Sequence, residues 1–331
     1  IIVLLINLIT TPTFFKITIN NGVLYGYIID VINRASELVV LAVGMTLVVS
    51  ASAGTDISVG AVMAVSAAVC TRVLAGGEVS VNEYANPYVL AVLAALAAAV
   101  VCGGFNGFLV AKLKIQPMVA TLILFTAGRG ISQLVTNGQI TYIRVDGYKL
   151  LGNNIPGIPI PTPIFVAVIV VALTYILLNK TAMGMYIQSV GINERASRLV
   201  GLKSVKIIWM AYAFCGLCAG IAGLVASSRI YSADANNIGL NMELDAIAAV
   251  ALGGNSLGGG RFSLLGSVIG AYTIQALTTT LYAMSVPADQ IPVYKAIVVI
   301  LIVAVQSEEL KKFRKRLASR HASGNVEGGV A

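Results

Sequence analysis

Apolar residues along this chain run in long blocks, with short polar punctuation between them. Ten blocks are candidate spans: 1–15, 36–53, 57–75, 87–113, 117–136, 162–179, 205–229, 242–256, 262–284 and 292–306. A bilayer core of about 30 Å takes about 20 apolar residues per helix. A span must also satisfy its own backbone N–H and C=O groups. The blocks therefore predict helices, and the alternation of a membrane β-barrel strand is absent. Pro87, Pro117, Pro163 and Pro292 sit at block starts, where a missing N–H costs nothing, and no proline interrupts any block after the first. The first block is short and opens on Ile1, so some N-terminal sequence is expected to be missing. It has no basic leader, and Thr-Pro-Thr-Phe-Phe follows where a cleavage site would stand, which argues against a secretory signal. The expected fold is all-α and polytopic, with about ten transmembrane helices over 1–306 and a basic cytoplasmic tail over 307–331.

Composition agrees. The 331 residues are 57% hydrophobic and 11% charged, with a mean hydropathy of +0.88, whereas soluble domains are about 25% charged. The net charge of +8 acquires meaning from its placement. With a cytoplasmic N-terminus and alternating spans, the inner segments are 54–56, 111–116, 180–204, 257–261 and the tail. Together with Lys206 at the membrane edge they carry 14 of the 22 Lys and Arg residues. The outer loop 76–86 holds Glu78 and Glu83 and no base. This is the positive-inside pattern. The tail "KKFRKR" suits anionic headgroups, so no nucleic acid partner is needed to explain it. Cys70, Cys102, Cys215 and Cys218 all lie in blocks, and the Cys215/Cys218 spacing is read as helix packing rather than a redox or metal pair. The outer loop 137–161, with "GNNIPGIPIP", is expected to be an extended strap.

Glycines spaced four apart at Gly103/Gly107, Gly216/Gly220 and Gly266/Gly270 predict close helix crossings, because lipid supplies no hydrophobic drive between helices. Two stretches, "SASAGTDISVG" (50–60) and "ALGGNSLGGGR" (251–261), break the apolar pattern in opposite halves. Irregular backbone at membrane depth must line a cavity or be buried in protein, so both are candidate pathway elements. Polar residues inside spans are expensive and mark function or interhelical bonds. Thr121, Phe125, Arg129, Ser132 and Thr136 share one helical face, as do Tyr272, Gln275, Thr279 and Tyr282. Hydrogen-bonding groups mixed with rings suit a sugar. With Asp56, Ser58 and Asn106 they form the candidate substrate pathway; interhelical hydrogen bonding is the other reading for each. Arg129 either faces the pathway or pairs with Asp56 or a backbone carbonyl. Glu243 and Asp245 open a short block as helix-capping acids. Buried carboxylates are scarce, which counts against an ion-coupled carrier. No P-loop, metalloprotease motif or nucleophile elbow with a base is present, and no metal site is expected.

"SVGINERASRLVGLKSVK" (189–206) gathers charge between two spans. Residues 193–201 read as a short helix, with Asn193 as N-cap, Glu194 in the first turn and Gly201 closing it in the left-handed region. Ala196, Leu199 and Val200 fall on one apolar face near Arg195 and Arg198, and Ser204 is expected to cap the next span. A helix this short needs a partner groove; an ordinary basic loop is the alternative.

At this point four ordered motifs carry a resemblance over nearly the whole chain. "GMTLVVSASAGTDISVGAVMA" (44–64), "KIQPMVATLILFTAGRGI" (114–131), "VGINERASRLVGL" (190–202) and "LDAIAAVALGGNSLGGGRFSLLGSVIGA" (244–271) resemble permease subunits of bacterial sugar ABC importers of the ribose/galactofuranose type. "SAGTDIS" departs from the family's Gly-Gly-Ile-Asp-Leu-Ser type stretch but keeps Asp56 and Ser58. The resemblance implies a type II-like import permease in the bacterial inner membrane, paired with a second copy or a paralogue. It implies a separate ABC ATPase inside, which binds ATP and Mg, and a separate sugar-binding protein outside. Asn193, Glu194, Arg195, Ala196, Arg198, Leu199 and Gly201 would then form the coupling helix. The implied substrate is a neutral monosaccharide of furanose or pentose type; a nucleoside or a signalling furanose is the alternative.

Overall fold

The computed structural model describes residues 12–20 and 23–306. Residues 1–11 of the first candidate span and the whole tail 307–331 lie outside the described residues. The chain divides into a unit ending at Thr280 and a second beginning at Leu281.

In the first unit, a hairpin of β1 (Thr18–Asn20) and β2 (Val23–Tyr25) precedes α1 (Tyr27–Ser52), α2 (Val59–Ala75), α3 (Tyr88–Ala111) and α4 (Pro117–Val135). There follow α5 (Thr162–Lys180), α6 (Met183–Ile192), α7 (Glu194–Leu199), α8 (Ser204–Ile230), α9 (Met242–Leu252) and α10 (Leu264–Ala283). The second unit holds the end of α10, a turn in which the Gln290 N–H donates to the Pro287 carbonyl, and α11 (Ile291–Gln306). Among the described residues, six helices are long and apolar enough to cross a membrane: α1, α3, α4, α5, α8 and α10. Three other candidate blocks form shorter helices, α2, α9 and α11, and fall below the length that spans a bilayer core without tilt or thinning. By this measure the described residues supply six of the roughly ten helices expected.

The core is built on α1. Every residue from Leu38 to Ala51 is buried, as expected of a helix that is apolar all round. It packs on α8, and α8 makes its most extensive contact with α3. Small residues permit that crossing. A Cβ on Gly103 would stand 2.4 Å from the Tyr212 carbonyl oxygen and 2.9 Å from the Gly216 Cα. Gly44 meets Cys215 and Cys218 in the same way, so this cysteine pair sits where two helices touch. The outward faces of α3, α4 and α5 expose Leu93, Leu122, Ile123, Val168 and Leu173, surface suited to lipid. At the far end of α8, Arg229 is clamped to α1 by Glu37, 2.9 Å away, and by the Asn33 carbonyl.

The end of the bundle that carries loop 137–161 departs from an all-helical expectation. Strands β3 (Ser80–Val81), β4 (Thr141–Ile143) and β5 (Ser232–Ala233) form a small mixed sheet, with β4 central. Strands of two and three residues carry no readable alternation, which is why the pattern missed them. The loop 137–161 is likewise no free strap. Ile143 and Tyr148 are buried in a cluster with Cys70, Leu74, Ala91 and Leu224. The Tyr148 hydroxyl donates to Ser227 Oγ at 2.7 Å. Burial of two large side chains outweighs the extended preference of the prolines that follow.

Candidate functional site

The two irregular stretches meet. The Gly260 N–H donates to the Ser50 carbonyl at 3.0 Å, and Gly191 of α6 is wedged between them. A Cβ on Gly191 would lie 1.7 Å from the Ser50 oxygen and 2.7 Å from the Gly260 nitrogen. Gly259 and Gly260 take φ of +86° and +87°, the left-handed region that glycine enters freely. The loop after α9 is organised by Asn255, which the sequence reading did not single out. Its Nδ2 donates to the Val250 carbonyl and to Ser267 Oγ, and its Oδ1 accepts from the Ser263 N–H. Thr46 of α1 shares a 2.6 Å hydrogen bond with Ser267.

Asp56, Ser58 and Asn106 come together and are all buried. Asp56 Oδ1 accepts from the Ser58 N–H at 2.9 Å and from Ser58 Oγ at 2.6 Å. Asn106 Nδ2 donates to Ser58 Oγ at 2.8 Å. Thr121 Oγ1 accepts from the Ile57 N–H at 3.2 Å. This set fixes the turn between α1 and α2. Ser132 and Thr136 are buried and donate to carbonyls of their own helix.

Arg129 does not meet Asp56. Its Nη1 donates to the Ala235 and Ile238 carbonyls, at 3.0 and 2.5 Å, which ties α4 to the segment between α8 and α9. Glu243 and Asp245 stand in the first turn of α9, which begins after Asn241. Glu243 is only 4% exposed. Phe125 and Arg129 are half-buried, as are Tyr272 and Gln275 on α10. Gln275 bonds Thr279 at 3.4 Å, while Tyr272 lines a mostly apolar cavity of about 530 Å³ beside α5. Tyr282 is exposed on the last turn of α10, in the second unit.

The charged stretch folds as two short helices, of which α6 was not expected. Asn193 Oδ1 accepts from the Ala196 N–H at 3.0 Å and caps α7. At its end Gly201 takes φ +88°, and its N–H donates to the Arg198 carbonyl, a left-handed closure. Leu199 is 90% exposed, Val200 78% and Ile192 68%; Ala196 and Arg195 are exposed beside them. Ser204 does not cap α8: Lys203 holds that position, and the Ser204 hydroxyl is taken up by Glu194 and Arg198.

Glu194 is the hub of this region. Its Oε1 accepts from Lys114 Nζ at 2.5 Å, from Arg198 Nη2 at 2.5 Å and from Ser204 Oγ at 3.1 Å. Lys114, 80 residues away in sequence, adopts φ +58°, a conformation a non-glycine residue enters only at a cost. Lys114 and Glu194 also line one wall of a cavity of about 260 Å³. Partial burial pushes the Glu194 carboxyl up, but the hydrogen bonds from Lys114 and Arg198 outweigh it and hold the carboxyl below its ordinary value of 4.5. A depressed carboxyl contributes stability above its unfolded value and loses it as pH falls through the folded one. The clasp is therefore complete at neutral pH.

The family model described as "Branched-chain amino acid transport system / permease component" matches residues 27–306. The galactofuranose transporter permease protein YtfT of Escherichia coli K12 is 43% identical over 322 residues, 96% of this chain and 91% of that protein. The fructose import permease protein FruF of Bifidobacterium longum is 38% identical, over 92% of this chain and 83% of its own. The ribose import permease protein RbsC of Escherichia coli K12 is 35% identical, over 93% and 92%. No solved structure matches the chain.

Proposed function

Because this chain belongs to the family of permease components of the branched-chain amino acid transport system type, we propose that it is the membrane subunit of an ATP-driven importer for a neutral monosaccharide. It is a multi-pass membrane protein, and its place is the bacterial inner membrane. The family description names amino acids, but three relatives that match most of the chain carry the names of sugar permeases. Charged residues inside the bundle are few among the described residues, which favours the sugar, since an amino acid would bring an ammonium and a carboxylate to be matched. A furanose or pentose is the substrate class. The full architecture is a type II-like permease of about ten spans, paired with a second copy or a paralogue. A sugar-binding protein delivers from outside, and an ABC ATPase carries ATP and Mg inside.

The observation that carries this reading is α7: a capped helix of six residues between the short α6 and the long apolar α8, with Leu199 and Val200 projecting at its end. Such a helix is too short to persist without a partner, and an apolar groove on the ATPase is that partner. Closure of the ATPases pushes on α7. Glu194 passes the push to Lys114, just ahead of α4, and to Ser204, which begins α8. Phe125, Arg129, Tyr272 and Gln275 keep reachable surface and are the favoured pathway residues, with Tyr282 at the end of α10. Asp56, Ser58, Asn106 and Thr121 hold the turn that shapes the path, and Thr279 accepts from the Gln275 side chain.

Proteoliposomes containing this chain, its ATPase and its binding protein should accumulate radiolabelled furanose or pentose only with ATP inside. Uptake by the chain alone, abolished by a proton or sodium uncoupler, would overturn the assignment.

A further inference from the structure

The inner ends of α3 and α8 border a groove of about 340 Å³. Its floor is Phe108, Val205 and Trp209, all exposed, and its rim is Lys112, Lys203 and Lys206. The Trp209 ring is pressed against glycines of α3: a Cβ on Gly104 would lie 3.3 Å from the ring and one on Gly107 3.1 Å from its Cδ1. Lys112 Nζ stands 5.9 Å over the Phe108 ring. Among the described residues, none of the three lysines forms an ion pair with a carboxylate. Within the described residues the clustered charge thus has no carboxylate counterion, unlike Lys114 and Arg198 nearby.

Two features decide what kind of anion fits. The floor lies within about 8 Å of the helix ends, at 1.5 Å rise per residue, which is headgroup and glycerol depth on the side rich in Lys and Arg. Tryptophan is enriched at that level. A soluble phosphate would leave the apolar floor bare, and a protein partner would have to reach below the membrane surface. A phospholipid matches both parts, and basic pockets on the cytoplasmic side are a known mode of headgroup capture. The amino end of α8 adds its positive dipole.

We propose that this groove binds an anionic phospholipid of the inner leaflet. Its phosphate sits among the ammonium groups of Lys112, Lys203 and Lys206, and an acyl chain lies along Phe108, Val205 and Trp209. The site anchors the amino end of α8, directly after the coupling helix, to the membrane.

The chain supplies its own probe, since Trp209 is its single tryptophan. The full chain is reconstituted in vesicles in which either phosphatidylglycerol or phosphatidylcholine carries brominated acyl chains, at equal mole fraction. Brominated phosphatidylglycerol should quench Trp209 more strongly, with an apparent enrichment of about fivefold for each lysine engaged. The variant Lys112→Gln/Lys203→Gln/Lys206→Gln should quench equally with both lipids, and the corresponding triple arginine variant, which keeps the charge, should retain the preference. Equal quenching in the unmodified chain overturns the proposal. So does a preference erased by excess inorganic phosphate, which would make this a free-anion site. Protection of the three lysines from acetylation by the partner ATPase but not by phosphatidylglycerol would make it a protein contact, and would also overturn it.

Discussion

Leu199→Asp is expected to abolish ATP-driven uptake while leaving the permease folded. Leu199 is 90% exposed, and surface substitutions of this kind usually change stability by no more than about 0.5 kcal/mol. In the proposed assembly the same position would be buried in an apolar groove of the ATPase. Loss of the leucine there forfeits about 1.5–3 kcal/mol of burial, and an unpaired carboxylate adds a desolvation penalty of several kcal/mol. Each 1.4 kcal/mol is about tenfold in affinity, so co-purification of the ATPase should fall by at least about 100-fold. Thermal unfolding of the purified permease should be unchanged. Preserved uptake in the variant would remove α7 from the drive mechanism.

The second large effect is structural. Gly103→Ala places a Cβ 2.4 Å from the Tyr212 carbonyl oxygen, 2.9 Å from the Gly216 Cα and 3.0 Å from the Gly216 nitrogen. All three are backbone atoms, so no side chain can swing aside, and α3 and α8 must separate at their closest crossing. Overpacking of this kind costs about 1–3 kcal/mol, and here it falls on the most extensive helix contact in the chain. The unfolding midpoint in detergent should drop clearly, with transport lost in proportion to folded protein. Gly130→Ala on α4 is the control, because a Cβ there meets nothing within 4 Å. Equal midpoints for the two variants would mean that the crossing tolerates separation.

Much of the fold was legible because lipid imposes a simple rule. A span must be apolar and helical, so block lengths and prolines locate α3, α4, α5, α8 and α10 within a few residues, whereas α1 begins at Tyr27, well ahead of its block at 36. Glycine spacing also pointed to the crossing of Gly103 with Gly216. What periodicity cannot say is which neighbour a face meets. Thr121, Ser132 and Thr136 do share a face of α4, yet they are buried, with Thr121 bound to the turn before α2. The opposite face, with Leu122 and Ile123, is the exposed one.

Contacts between residues far apart in sequence were equally invisible. Lys114 reads as an ordinary positive-inside charge until it is seen bonded to Glu194. Glu37 and Arg229 carry no shared motif, and Asn255 looked like one more polar residue among glycines. The short helix after Asn193 was legible for the opposite reason: its cap, its first-turn acid and its closing glycine are adjacent in sequence. Only the fate of Ser204 differed, because two charged neighbours claim its hydroxyl before the backbone can.

We propose that α7 is the point where force from an ATPase enters the membrane bundle. Cys70, Cys215 and Cys218 are buried and Cys102 is half-buried, so Leu199→Cys adds a readily accessible thiol that can carry a short photo-crosslinker. In a transport-competent assembly, illumination should join this position to the ATPase subunit in good yield, and the yield should change when ATP is added. An assembly that imports sugar while position 199 reacts only with solvent would contradict the account.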